Sequence, residues 1–208
     1  MTPIEIRNRK GASEEKISSS GNGFNINDTE NYNMRLHLKR YILLQMQGKQ
    51  NNKQQIFLIL HNIRSAHNVG SIFRTADAAG VSQIFITGYT PTPINKFGVP
   101  RKDIAKVALG AEKTIAWKYY SHPGNLIKNL KKDSIDVIAV EQAPEAADYR
   151  KLKLKKPSAF LFGNEVRGVS RQIRLLCGKT IEIPMYGKKE SLNVAVVVGV
   201  ILFRMRGQ

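Results

Sequence analysis

Side chains able to take part in chemistry gather in three stretches of this 208-residue chain, each just after an apolar run. The first to raise a question is FLFGNEVRGVS, Phe160 to Ser170. Its Gly163, Gly168 and Ser170 have the spacing of a phosphate-binding loop, in which backbone N–H groups cradle phosphates and a lysine reaches the β and γ oxygens. Here Val169 occupies the lysine position, and Glu165 would place a carboxylate inside a cradle meant for anions. Both departures argue against a nucleoside triphosphate, and the dinucleotide pattern G-x-G-x-x-G is missing as well. What remains is a strand that ends in a glycine turn carrying an amide and a carboxylate. In open α/β sheets, ligands sit at that end of the strands.

The other two stretches share this layout. HNIRSAHNVGSIFRTADAAG follows the IFLIL run and carries Asn68, Gly70 and Arg74; YGKKESLN follows IEIPM and carries Ser191, Leu192 and Asn193. Arg74 is a poor base, because a guanidinium has a pKa above about 12. It is a good bidentate clamp for phosphate. Purely structural roles are open for all of them. Asn68 suits a helix N-cap and Ser191 the cap of the last helix. Arg74 fits a surface position beside an apolar helical stripe, and Ile183, Met185 and Leu192 fit a core. His37, His61, His67 and His122 have no metal-ligand spacing and Cys177 stands alone, so no metal is expected.

The elements that must position these residues follow an alternating pattern from Ile56 onward. IFLIL, QIFITG, TIAWKYY, IDVIAVE, SAFLF and TIEIPM read as strands. NVGSIFRTADAAG, residues 104–109, NLIKNLKK and VSRQIRLL read as helices. Such alternation predicts an α/β fold with a mainly parallel sheet and helices on both faces. SLNVAVVVGVILFRMR is ambiguous: its β-branched residues favour a strand, its length and Ser191 a buried helix. Residues 1–55 form a polar, basic N-terminal extension, too poor in apolar residues over most of its length to build a core. Within it a short basic helix is predicted near residues 34–47. The folded domain is predicted to run from 56 to 208.

Thirty-three Lys and Arg against sixteen Asp and Glu give a net charge of +17. That excess favours a polyanionic partner and salt-dependent binding, and charge alone does not separate RNA from DNA. No segment has the roughly 20 apolar residues of a membrane span, the amino terminus lacks a signal-peptide pattern, and a lone cysteine makes no internal disulfide. A cytoplasmic protein with no membrane partner is expected.

Together the three stretches resemble the SpoU family of RNA ribose 2′-O-methyltransferases, in the SPOUT superfamily. Asn68, Gly70 and Arg74 match its N-x-G-x-x-x-R motif. Gly163, Asn164, Glu165 and Gly168 match G-[NS]-E-x-x-G, and Ile183, Pro184, Met185, Ser191, Leu192 and Asn193 match I-P-M…S-L-N. The resemblance covers roughly residues 56–205. It implies S-adenosylmethionine as cofactor, with S-adenosylhomocysteine as product. It implies tRNA or ribosomal RNA as partner, a homodimer, and a deep trefoil knot in the carboxyl-terminal part. The implied catalytic residues are Arg74, Asn68, Glu165, Ser191 and Asn193. The implied cofactor contacts are Val140, Gly163, Ile183, Met185 and Leu192. A catalytically silent RNA-binding relative is the competing expectation.

Overall fold

The computed structural model describes residues 55–207; the predicted extension, with its helix near 34–47, lies outside the described residues except for Gln55. Seven strands form one sheet: β1 (Ile56–His61), β2 (Gln83–Thr87), β3 (Trp117–Tyr120), β4 (Asp136–Val140), β5 (Ala147–Asp148), β6 (Ser158–Phe162) and β7 (Lys179–Glu182). Their spatial order is β3-β2-β1-β6-β4-β7-β5. Every pairing in the sheet is parallel, as the alternating pattern predicts. The carboxyl ends of the strands therefore open on one side.

The strands that the sequence marks as unbroken apolar runs lie in the centre. β1 and β6 are neighbours in register, Phe57 beside Ala159 and Leu60 beside Phe162. Both are covered on two faces, which is why neither alternates between apolar and polar residues. On one face Ile56, Leu58, Leu60, Ile84, Ile138 and Phe160 share a core with Val69, Ile72 and Phe73 of α1 (Ala66–Ala78). The last helix, α6 (Val194–Arg206), joins that core through Val198, Ile201 and Leu202. The alternate residues Phe57, Ile59, Phe85, Val137 and Leu161 are buried on the opposite face. There α4 (Pro123–Lys132) and α5 (Arg171–Cys177) pack against β4. Two shorter helices, α2 (Lys102–Ala108) and α3 (Ala111–Thr114), lie between β2 and β3 in the chain, and α3 takes up the start of the segment expected to be strand.

The ambiguous last segment is a helix. Valine lowers helix propensity by no more than about 0.7 kcal/mol relative to alanine. Burying a Val, Leu, Ile or Met side chain contributes about 1.5–3 kcal/mol, and α6 buries Val194, Val198, Ile201, Leu202 and Met205. Burial decides. Its cap is Asn193, whose side chain accepts from the Ala195 N–H, not Ser191 as expected. The helix is also less enclosed than its composition suggests, because Val196 and Phe203 are 51% and 57% exposed. Arg206 donates to the carbonyls of Ala79 and Gly80 and so ties the end of α6 to the end of α1.

Gly70 explains why α1 and α2 can lie so close. A Cβ at this position would stand 2.7 Å from the Ile104 carbonyl oxygen and 2.9 Å from the Val107 Cβ. Changing a helical glycine to alanine gains about 1 kcal/mol of propensity, while forcing atoms into a filled interface costs typically 1–3 kcal/mol. Gly70→Ala is therefore expected to lower Tm by a few degrees, measured by circular dichroism. An unchanged or raised Tm would show that the helices separate freely.

Candidate active site

The carboxyl ends of β1, β4, β6 and β7 supply the loops that carry the predicted residues. Two glycines shape the loop after β6. A Cβ at Gly163 would meet the carbonyl carbon of Gly168 at 2.6 Å, so Gly163 lets the loop fold back on itself. Gly168 has φ +62°, and a Cβ there would strike the Glu141 carboxylate. Between them Asn164 holds the turn: its Oδ1 accepts from the N–H groups of Val166 and Arg167, at 2.9 and 2.8 Å. Its Nδ2 donates to the Asn62 carbonyl oxygen at 3.0 Å and to Tyr89 Oη at 2.9 Å.

This turn aims Glu165 at the start of α1. Its carboxylate accepts from the backbone N–H groups of Arg64 and Ser65, at 3.1 and 3.4 Å, and from Asn68 Nδ2 at 3.0 Å. Ser65, rather than Asn68, is the N-cap of α1; its side chain accepts from the Asn68 N–H. The Asn68 side chain is thereby free for other bonds. Its Oδ1 accepts from Asn193 Nδ2 at 3.1 Å. One path of hydrogen bonds thus joins Glu165, Asn68 and Asn193, a residue from each of the three motifs. Partial burial pushes the Glu165 carboxyl up, but the hydrogen bonds it accepts outweigh this and hold it below its ordinary value.

Beside this network lies a cleft of about 260 Å³. All five predicted cofactor positions line it: Val140, Gly163, Ile183, Met185 and Leu192. Glu165 and Ser191 line it too. Asn68 and Asn193 hold its edge through the network, and Asn193 follows directly on Leu192. Arg74 lies farther along α1, about two turns from the cap, its side chain exposed and without a hydrogen bond or ion pair among the described residues. The structure therefore brings together the amides, Glu165 and the apolar positions, and leaves the arginine as a free cation.

The cleft is acidic, although the chain is strongly basic. Glu141, Glu165, Glu182 and Glu190 all line it, together with apolar side chains. Such a lining suits a ligand with an apolar ring and a positive charge. Among the described residues no group of three or more His, Cys, Asp or Glu is placed to hold a metal ion.

Several contributors were missed from sequence. Glu141 accepts from the N–H groups of Gln142 and Val169, binding the loop after β4 to the loop after β6. It follows an apolar run as Glu165 does, and that shared position was the available signal. Ser65 and the backbone N–H of Arg64 gave none, since a backbone donor leaves no mark on residue type. The loops after β1 and β2 are also laced together. Asn62 Nδ2 donates to His61 Nε2, and His61 Nδ1 is bonded to Thr87 Oγ1 at 2.8 Å. Burial lowers the His61 pKa, which agrees with a neutral ring in this pairing.

A family model described as the SpoU rRNA Methylase family matches residues 55–203. A tRNA (guanosine(18)-2′-O)-methyltransferase from Thermus thermophilus is 33% identical over 151 residues, covering 73% of this chain and 74% of that protein. A 23S rRNA (guanosine-2′-O-)-methyltransferase from Neisseria meningitidis is 33% identical over 153 residues, covering 74% of this chain and 58% of the relative. The chain thus spans somewhat more than half the length of that relative. Among solved structures, an AdoMet-bound rRNA methyltransferase from Sinorhizobium meliloti superposes with a TM-score of 0.66 at 28% identity, over 74% of this chain and 57% of that one. The A. aeolicus TrmH/SpoU tRNA modifying enzyme gives 0.66 at 27% identity, over 85% and 83%. With its motifs joined in one site and its sheet matching these structures, the chain belongs to the SpoU rRNA methylase family.

Proposed function

We propose that this protein transfers a methyl group from S-adenosylmethionine to a ribose 2′-hydroxyl in structured RNA, either tRNA or ribosomal RNA. The observation that carries the reading is the convergence of the three motifs on one acidic, partly apolar cleft through the path from Glu165 to Asn68 to Asn193. The names of the relatives point to the same reaction. Residues 56–208 are the methyltransferase domain in this reading, and a cytoplasmic location goes with it. Among the described residues no helix is long and apolar enough to cross a membrane.

The residues present fit the cofactor. Val140, Ile183, Met185 and Leu192 offer an apolar slot, the glycine turn at 163 narrows it, and the surrounding carboxylates favour a cation. When bound, S-adenosylmethionine supplies an electrophilic methyl group on a sulfonium sulfur. The chain's own part is orientation. Glu165 fixes the start of α1 and, through Asn68, the Asn193 cap of α6; Ser191 faces the cleft between them. As the ribose oxygen gains the methyl, the S–CH3 bond breaks to leave a neutral thioether, S-adenosylhomocysteine, and the hydroxyl proton passes to water. A guanidinium, protonated at any working pH, does not accept that proton. Arg74 is therefore assigned to a phosphate of the RNA, which it clamps so that the ribose lies in line.

A homodimer belongs to this proposal. Val196, Val200 and Phe203 recur at helical spacing on α6, and the first and last are more than half exposed. An apolar stripe of this kind fits a second copy better than water. The deep trefoil knot remains part of the proposal too. Strand order fixes which strands are neighbours but not how the chain threads, and the placement of β7 beyond β4 while α6 returns to α1 is compatible with it.

Labelled S-adenosylmethionine should transfer its methyl group to unmodified tRNA or ribosomal RNA, at a nucleotide that then resists alkaline cleavage. In the same assay Arg74→Ala should abolish transfer while cofactor affinity stays within a few-fold. Cofactor binding without transfer to either RNA by the native protein would favour the silent relative. Glu165→Gln should lower Tm at pH 7. The depressed pKa means that the native carboxylate's contribution is present above its ordinary value of 4.5 and is lost as pH falls through the lower folded value. The Tm difference should thus shrink toward pH 3.5; a constant difference would place the effect in packing. Sedimentation at micromolar concentration is expected to give a dimer, and a monomer would overturn that part.

A further inference from the structure

A second pocket, of about 620 Å³, opens beside the cleft and is lined by Arg64, Tyr89, Asn164, Val166 and Arg167. Asn164 and Val166 line both hollows, so the two share a wall. We propose that this pocket holds the RNA nucleotide adjacent to the one being methylated, with its phosphate between Arg64 and Arg167 and its base on the ring of Tyr89. The inference rests on the methyltransferase reading above and adds to it where the strand lies.

Tyr89 is 58% exposed, so its ring is open to a stacking partner. It is nonetheless held at two points: its N–H donates to Asn62 Oδ1 at 3.2 Å and its Oη accepts from Asn164 Nδ2 at 2.9 Å. The preceding Gly88 has φ +64°, and a Cβ there would overlap Asn62 Oδ1, so this close approach requires glycine. A ring presented in a fixed orientation loses little entropy when a base stacks on it. Accepting from Asn164 also leaves the phenol proton free to donate.

The two arginines are anchored by their backbones and free at their tips. The Arg64 N–H donates to Glu165 and the Arg167 N–H to Asn164 Oδ1. Neither guanidinium has an ion pair or a hydrogen bond among the described residues, in contrast to Arg101, Arg150 and Arg174, which each pair with a carboxylate. No acidic residue lines the pocket, and Glu165, next to Asn164 and Val166 in its wall, already accepts three hydrogen bonds from the start of α1. Two unneutralised guanidinium groups flanking an oriented aromatic ring match a phosphodiester and its base better than an uncharged ligand. The acidic cleft next door would repel that phosphate, so the strand is kept to the pocket side of the shared wall.

The test uses the full chain, with fluorescently labelled unmodified tRNA transcript and a labelled ribosomal RNA fragment as probes. Binding is followed by anisotropy over a range of salt concentrations. Arg64→Ala and Arg167→Ala should each weaken RNA binding, and the Arg64→Ala/Arg167→Ala double variant, which loses the shared phosphate, should flatten the slope of log affinity against log salt by roughly 0.7–0.9. Tyr89→Ala should weaken binding by about ten-fold or more, whereas Tyr89→Phe, which keeps the ring, should retain most of it. In all of these variants cofactor affinity and Tm should stay close to the native values. RNA affinity and salt slope unchanged in an Arg64→Ala/Arg167→Ala double variant would overturn the pocket while leaving the enzyme reading intact. Loss of RNA binding accompanied by an equal loss of cofactor binding and Tm would overturn it too, as collapse of the shared wall. If the native protein binds and methylates neither RNA, the enzyme reading itself fails and the pocket falls with it.

Discussion

The carboxylate of Glu165 is the point on which the site's geometry rests. It projects from the loop after β6 and accepts hydrogen bonds from the start of α1, a segment some hundred residues earlier in the chain. Through Asn68 the same network reaches Asn193, the cap of the last helix. An ionised group in such a position is stabilised by its donors and would be costly to leave without them. The loops after β1, β6 and β7 are thus held to one arrangement, and the cleft takes its shape from that arrangement.

The site also divides charge in space. The chain as a whole carries +17, yet four carboxylates line the cleft. A cationic small molecule and a polyanionic strand have opposite electrostatic demands, and a uniform field would serve one at the cost of the other. Gathering four Glu residues around the hollow and leaving the guanidinium groups of Arg64, Arg74 and Arg167, among the described residues, unpaired outside it serves both. The separation is short, since Asn164 and Val166 line both the cleft and the neighbouring pocket.

Much of the fold was legible because its central strands are buried on both faces. IFLIL and SAFLF carry no polar interruption, and both are central strands. The residues of the cleft were legible for a different reason: three motifs in order, each following an apolar run. Roles within the motifs were harder to read. Asn68 and Ser191 both have cap chemistry, but the caps are Ser65 and Asn193. Each of these residues can bond its own backbone or a distant group, and only the neighbours brought in by folding decide which. Gly163 lines the cleft and also admits the backbone of Gly168, a close approach that residue type alone does not announce.

The sequence by itself determined the strand and helix alternation and the basic balance of the chain, which depend on local periodicity and residue type that the chain carries wherever it folds. Its resemblance to the SpoU family pointed to Val140, Gly163, Ile183, Met185 and Leu192, all of which line the cleft. The tertiary structure decided that the last segment is a helix, because burial against α1 outweighs the strand preference of its valines. It also decided that Glu165 faces the start of α1 and that Glu141 joins two loops. Neither contact has a signature in residue spacing, since one partner in each is a backbone N–H that every residue except proline carries.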